Sequence, residues 1–242
     1  LLRVQDINCG YREILASYYL GVFLNNFLPT GMGGDAVRTI RLRLLGHALR
    51  PLIMVAVVDR IIGLIVILVM GAVALPFWNN PYLTGWMPWL PAVFLVISLL
   101  VMGILLHFLE PWLARNEHRF QGRFLLALLV VARATCAFYR AKGVLLAAVA
   151  LTLILQNVVV LVYILLGREV GINVPLPVYF VSGLITFLAA SLPLSIGGLG
   201  VREGALAGLL ILAGVDASQA VAVSLLYLVI LWTATLPGGL VL

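Results

Sequence analysis

Arg38 closes the stretch Leu28-Pro29-Thr30-Gly31-Met32-Gly33-Gly34-Asp35-Ala36-Val37-Arg38, and Arg202 closes Leu192-Pro193-Leu194-Ser195-Ile196-Gly197-Gly198-Leu199-Gly200-Val201-Arg202. Leu-Pro, three residues, Gly-Gly, two residues and Val-Arg recur at a constant offset of 164, without a gap. A guanidinium presents two parallel donors, which suit a phosphate. Proline followed by paired glycines lets the chain turn tightly and bare its amides. A helix restarting there carries unpaired N–H groups and about half a positive charge, the setting in which anions bind. The pattern predicts a site for an anionic group built from Arg38, Arg202, Gly33, Gly34, Gly197 and Gly198, with Asn26 and Ser195 as polar neighbours. The plainer reading is that the glycines pack two helices and Arg38 is a surface charge.

Further charges surround the motifs. Asp35 precedes Arg38 by three residues, one helical turn, so the two can pair. Asp59 and Arg60 are adjacent within an apolar run. Charges at bilayer depth are expensive and mark functional groups or interhelical pairs. Glu203 follows Arg202 directly, and neighbours in sequence do not face each other on a helix, so its partner is expected elsewhere. Asp35, Asp59, Arg60 and Glu203 are assigned as gating or counter-charge residues. Asn25 and Asn26 are expected to anchor the first loop, and Gln156 and Asn157 to hydrogen-bond between helices.

These groups sit in an apolar chain: of 242 residues, 64% are hydrophobic and 10% charged, with a mean hydropathy of +1.18. Several runs approach the ~20 apolar residues that cross a bilayer. They are unbroken rather than alternating, which argues against a β-barrel. The composition predicts an all-α, polytopic helical membrane protein forming a single transmembrane domain over residues 1–242. The net charge of +6 is read as basic cytoplasmic loops, not as a nucleic-acid surface. Cys9 and Cys136 make no disulfide framework. The opening at Leu1 is read as an interior point of a longer chain.

In chain order, residues 1–13 read as interfacial and 14–28 as a short apolar helix. A basic helix follows from Ala36, then spans over 48–75 and 88–109, separated by an aromatic loop at 76–87. Residues 124–132 read as an interfacial helix and 144–166 as the third span. A loop carrying Pro175 and Pro177 covers 167–177. Another short apolar run covers 178–192, a helix rich in small residues 200–213, a turn lies at Asp216, and the last span covers 217–239. Residues of about 14–75 and 178–239 are the two internal repeats. Twelve of the fifteen Lys and Arg fall on one side if 48–75 leads out and 88–109 returns, as the positive-inside rule asks. Three spans then separate the motifs. If both short helices are re-entrant, the repeats have inverted topology, with a site near the midplane. If the short helices cross fully, the repeats are parallel.

Enzyme patterns are absent. His47, His107 and His118 lack metal-ligand spacing, and neither a Gly-x-Ser-x-Gly elbow nor a P-loop is present. No catalytic residue, metal or cofactor is assigned.

Asn25-Asn26-Phe27-Leu28-Pro29 with Gly33-Gly34-Asp35 and Arg38, Asp59-Arg60-Ile61 with Gly63, and Leu192-Pro193 with Gly197-Gly198-Leu199-Gly200-Val201-Arg202-Glu203-Gly204 resemble the lysylphosphatidylglycerol synthase transmembrane region, a flippase-like family. It includes the membrane half of the bacterial multiple peptide resistance factor. The resemblance implies a multi-pass protein of the prokaryotic cytoplasmic membrane that binds and translocates an anionic phospholipid or polyprenyl-phosphate-linked precursor. A homo-oligomer or a biosynthetic enzyme partner is compatible with it. The alternative is a membrane-embedded transferase or a non-transporting assembly factor in lipid or glycan synthesis. The chain departs from the family in lacking helices before the first motif. It also carries Leu228 after Tyr227, where an arginine echoing Asp59-Arg60 is expected. The soluble aminoacyl-transferase domain is absent from it, so aminoacylation is not carried over.

Overall fold

The computed structural model describes residues 1–5, 7–28, 33–78, 85, 87–104, 138, 141–192 and 195–241. Pro29 to Met32, most of the 79–86 loop, the 124–132 helix, His107, His118, Cys136, Pro193 and Leu194 lie outside the described residues. The fold is all-α. Its helices are α1 (Tyr11–Asn25), α2 (Gly33–Leu44), α3 (Leu49–Ala74), α4 (Leu90–Ile104), α5 (Lys142–Glu169), α6 (Leu176–Ser191), α7 (Val201–Leu212) and α8 (Ala217–Thr235). A 3₁₀ turn over Leu236–Val241 continues α8.

Among the described residues, three helical stretches are long and apolar enough to cross a membrane: Leu49–Phe77, Lys142–Glu169 and Ala217–Leu240. At 1.5 Å per residue α3 is about 39 Å long, against a hydrocarbon core of about 30 Å. The protein is therefore a polytopic helical membrane protein. α1 and α6, with 15 and 16 residues, reach only about 22–24 Å. α4 is described over Leu90–Ile104, and residues 105–109 of the predicted 88–109 span lie outside the described residues.

α3 is the hub. Leu52, Val55, Val58, Ile62 and Val66 form a buried stripe along it, and its last turns are buried on most sides. The stripe recurs every three or four residues, the helical period. Around it pack Val160 and Tyr163 of α5, Val178, Val181 and Leu184 of α6, Leu206 and Leu210 of α7, and Val223 of α8. α5 is the exception to this burial. Only 6% of its apolar window is covered, the pattern of a helix facing lipid. Asn157 on α5 donates to the Leu153 carbonyl of its own helix, at 2.8 Å. That differs from the expected interhelical bond, because among the described residues Asn157 is exposed.

α6 begins two residues earlier than the sequence suggests. Pro175 is its N-cap residue and Pro177 lies in its first turn, where a missing N–H is no loss. Asp216 caps α8, accepting from the Ser218 amide at 2.9 Å and from its hydroxyl at 2.5 Å. Those bonds hold its carboxyl below the usual range.

Candidate functional site: two arginine motifs that meet

The first motif folds as a helical hairpin. α1 and α2 cross at Gly21 and Gly34, backbone against backbone. A Cβ on Gly34 would stand 2.5 Å from the Gly21 carbonyl oxygen, and one on Gly21 would stand 2.6 Å from that of Gly34. Asn25 Oδ1 accepts the Gly34 amide at 3.0 Å, and Asn26 Nδ2 donates to Thr235 Oγ1 of α8 at 2.9 Å. Both asparagines are anchors, as expected. Asn26 is buried in that role. Gly33 and Gly34 are helical and so do not form a turn here.

α2 lays its charges against α3. Arg38 Nη2 lies 3.5 Å from Asp35 and 3.3 Å from Asp59, while Arg60 Nε donates to Asp35 at 2.5 Å. The order Asp59–Arg38–Asp35–Arg60 is a zigzag of alternating charge. It contains the expected Asp35–Arg38 pair and adds two pairs between helices that sequence spacing alone does not reveal. The side chains are part exposed, 18% for Arg38 and 45% for Asp59, so each pair contributes little stability by itself.

Arg38 and Asp59 line a cleft of about 410 Å³, whose walls include Tyr18, Leu42, Leu52 and Val55. Arg3 also reaches it. Tyr18 was not visible as a wall residue in the sequence, because nothing in its spacing separates it from the neighbouring aromatics of α1.

The second motif is built differently. Gly197 and Gly198 have φ of +60° and +77°, the left-handed region that glycine enters without penalty. They lie before α7, not within it. The Gly197 amide donates to the Leu28 carbonyl at 2.7 Å, so the two motif loops touch. A Cβ on Gly197 would stand 2.7 Å from the Asn26 carbonyl oxygen and 2.8 Å from that of Asn25. Only glycine fits this joint.

Arg202 and Glu203 occupy the first turn of α7. Glu203 Oε2 accepts the Gly200 amide at 2.6 Å, and Oε1 accepts Arg202 Nε at 2.9 Å. The expectation that Glu203 finds its partner elsewhere is therefore corrected. The carboxylate turns back over the open end of the helix, a position that an adjacent guanidinium can reach, whereas on a helix flank the two would diverge. Both side chains are 10% exposed. Arg202 Nη2 lies 2.7 Å from Glu203 Oε1 but without an aligned hydrogen bond, and the Ser195 hydroxyl likewise has no partner among the described residues. The guanidinium carbon stands 5.8 Å from the Tyr227 ring centroid, and Tyr227 meets Tyr163 edge to face at 4.7 Å. Arg202 is not among the residues lining the Arg38 cleft. The structure joins the two motifs through Leu28 and Gly197 but gives each arginine its own surroundings.

These features define a helical membrane protein with a charged seam in its first half and a buried ion pair in its second. The chain belongs to the family described as the lysylphosphatidylglycerol synthase TM region, whose model matches residues 1–238. It is thus a membrane protein linked to lipid metabolism. No curated protein and no solved structure matches it.

Proposed function

We propose that this protein binds the anionic head of a phospholipid or lipid-linked precursor and moves it between leaflets of a prokaryotic cytoplasmic membrane. The observation that carries this reading is the Arg38 cleft. Its lining is part ionic and part apolar, and its volume of about 410 Å³ suits a head group with the start of its chains. Arg38 exchanges one of its two carboxylate partners for the lipid phosphate, and Asp35 and Asp59 act as counter-charges when the site is empty. Arg202 supplies the matching contact in the second half. The two hairpins are re-entrant and inverted, so that each motif serves one leaflet. The joint at Leu28 and Gly197 supports this arrangement, since re-entrant backbone at membrane depth must be sheltered by protein or a wet cavity.

The test is leaflet exchange of labelled anionic and zwitterionic lipids in proteoliposomes, with an Arg38→Ala/Arg202→Ala double variant alongside. The expected result is exchange that favours the anionic lipid and is lost in a folded double variant. Exchange indifferent to the double variant removes the site. No exchange with any lipid returns the protein to the synthesis-factor reading. Cysteines at Met32 and Leu199 are expected to react with impermeant reagents from opposite sides, whereas parallel repeats would expose both to one side.

A further inference from the structure

We propose that an anion binding at Arg202 draws a proton onto Glu203, so that the second half of the protein is a proton-coupled anion site. This deepens the reading of Arg202 above and rests on it. Arg202 and Glu203 form a buried pair of zero net charge. The helices packed on α7 are α6 and α8, and neither contains Asp, Glu, Lys, Arg or His. α5 carries charge only at its ends, at Lys142, Arg168 and Glu169. Among the described residues, the titratable groups facing this region besides Arg202 are the phenols of Tyr227 and Tyr163.

Among the described residues the pair has no second countercharge to draw on. Arg202 Nη2 still has donor capacity, being buried without an aligned hydrogen bond. A phosphodiester oxygen that takes those donors brings one negative charge into the site. Glu203 and the phosphate then share one guanidinium, leaving a net charge of minus one out of water, which is strongly unfavourable. A proton from solvent on Glu203 Oε1 restores neutrality. Oε1 gains the O–H bond, Arg202 Nε gives up that acceptor and turns to the phosphate, and hydronium becomes water. Oε2 keeps the Gly200 amide throughout.

The core beside the pair carries hydroxyls. The Tyr163 hydroxyl neighbours those of Tyr227 and Thr186. Thr186 Oγ1 and, one turn away on α6, Ser182 Oγ are buried without aligned partners. In the first half the charge zigzag is part exposed, and four groups share the adjustment there, so no single proton is required.

The test uses the full chain in nanodiscs of phosphatidylcholine, with phosphatidylglycerol as the probe. Its phosphodiester stays ionised throughout the range. Proton uptake is read with an indicator dye, and affinity is followed between about pH 5.5 and 8. We expect about one proton taken up per lipid bound at Arg202. Affinity should fall roughly tenfold per pH unit across the coupled part of the range, the slope that one linked proton dictates. Arg202→Gln should abolish the uptake. Glu203→Gln, if it folds, should bind with no pH dependence, and if it does not fold, the wild-type uptake decides. The water-soluble glycerophosphodiester head, tested alone, shows whether phosphate suffices or the lipid chains are needed. Lipid binding without proton uptake overturns the coupling and leaves the proposed function standing. Absence of lipid binding overturns both.

Discussion

The two copies of the Leu-Pro, Gly-Gly, Val-Arg stretch share six residues and make unlike sites. Up to the arginine the copies run at an offset of 164, yet beyond it the helices run at 168. α2 ends at Leu44 and α7 at Leu212, and α3 begins at Leu49 and α8 at Ala217. Both helices have 12 residues, so the second starts and ends four residues, about one helical turn, later relative to the motif. Arg38 consequently sits inside α2, facing α3, while Arg202 sits in the first turn of α7, over the helix end. At the 168 offset Tyr227 takes the place of Asp59 and Leu228 that of Arg60. Arg38 meets Asp59 at 3.3 Å, and Arg202 meets the Tyr227 ring at 5.8 Å. In the second copy an aromatic face stands where the first has a carboxylate, and the countercharge is supplied by Glu203. A helix start shifted by one turn thus separates a shared, part-exposed ion chain from a private, buried pair.

The widest contrast between the copies should appear on removing a carboxylate. Glu203→Ala leaves a buried guanidinium unpaired and is expected to cost about 3–5 kcal/mol. Asp59→Ala leaves Arg38 with Asp35 and should cost less than about 1 kcal/mol. Thermal unfolding of both variants in one detergent checks this, and equal losses would show that the two sites are not different in kind.

The glycines separate the copies next. Gly197→Ala should lose about 1–3 kcal/mol from left-handed strain, with the contact to the Asn25 and Asn26 carbonyls added. Gly198→Ala should lose about 1–2 kcal/mol, since its nearest obstacle is Ala190 at 3.4 Å. Asparagine tolerates φ > 0, so Gly198→Asn should recover part of that loss. Gly34→Asn should recover nothing relative to Gly34→Ala, because there the obstacle is the Gly21 backbone. Recovery at both positions would mean that Gly34 also serves by its torsion angles.

A smaller effect tests how firmly the halves are tied. A double-mutant cycle over Asn26→Ala and Thr235→Ala should give a coupling of about 0.6 kcal/mol, the average for side-chain hydrogen bonds between membrane helices. Of similar size, Tyr227→Phe should lose about 0.5–1.5 kcal/mol with its hydroxyl contact to Tyr163, while the ring under Arg202 remains. Tyr227→Leu should lose about 0.5–2 kcal/mol of cation–π attraction.

Much of this was legible in the sequence. Hydropathy located the three long helices to within a few residues, and Pro29 and Pro193 marked where the short ones stop. The Asp35–Arg38 pair followed from a spacing of three. The cross-pairing of Asp35 with Arg60 did not, because it depends on how α2 lies on α3. Glu203 was misassigned because the rule that neighbours diverge describes a helix flank, and Glu203 sits where the helix opens. The Arg60 counterpart was sought at position 228, where leucine stands, and Tyr227 went unnoticed as the counterpart of Asp59. A single offset fitted to the motif hides the one-turn shift. Hydropathy marked the run containing Pro175 and Pro177 as loop, although a proline is at home in the first turn of a helix.

The contact between Gly21 and Gly34 has a mechanical consequence. Two backbones touching without side chains between them have no rotamers to yield, so α1 and α2 behave as one stiff lever. Two of the three ion pairs of the zigzag, Arg38–Asp59 and Arg60–Asp35, join this lever to α3. Sliding the lever along α3 must break both, and a slide of one helical turn, about 5.4 Å, presents its charges to new partners. α7 carries its countercharge on board and crosses no such ratchet. Of the two hairpins, the first has detents and the second runs free.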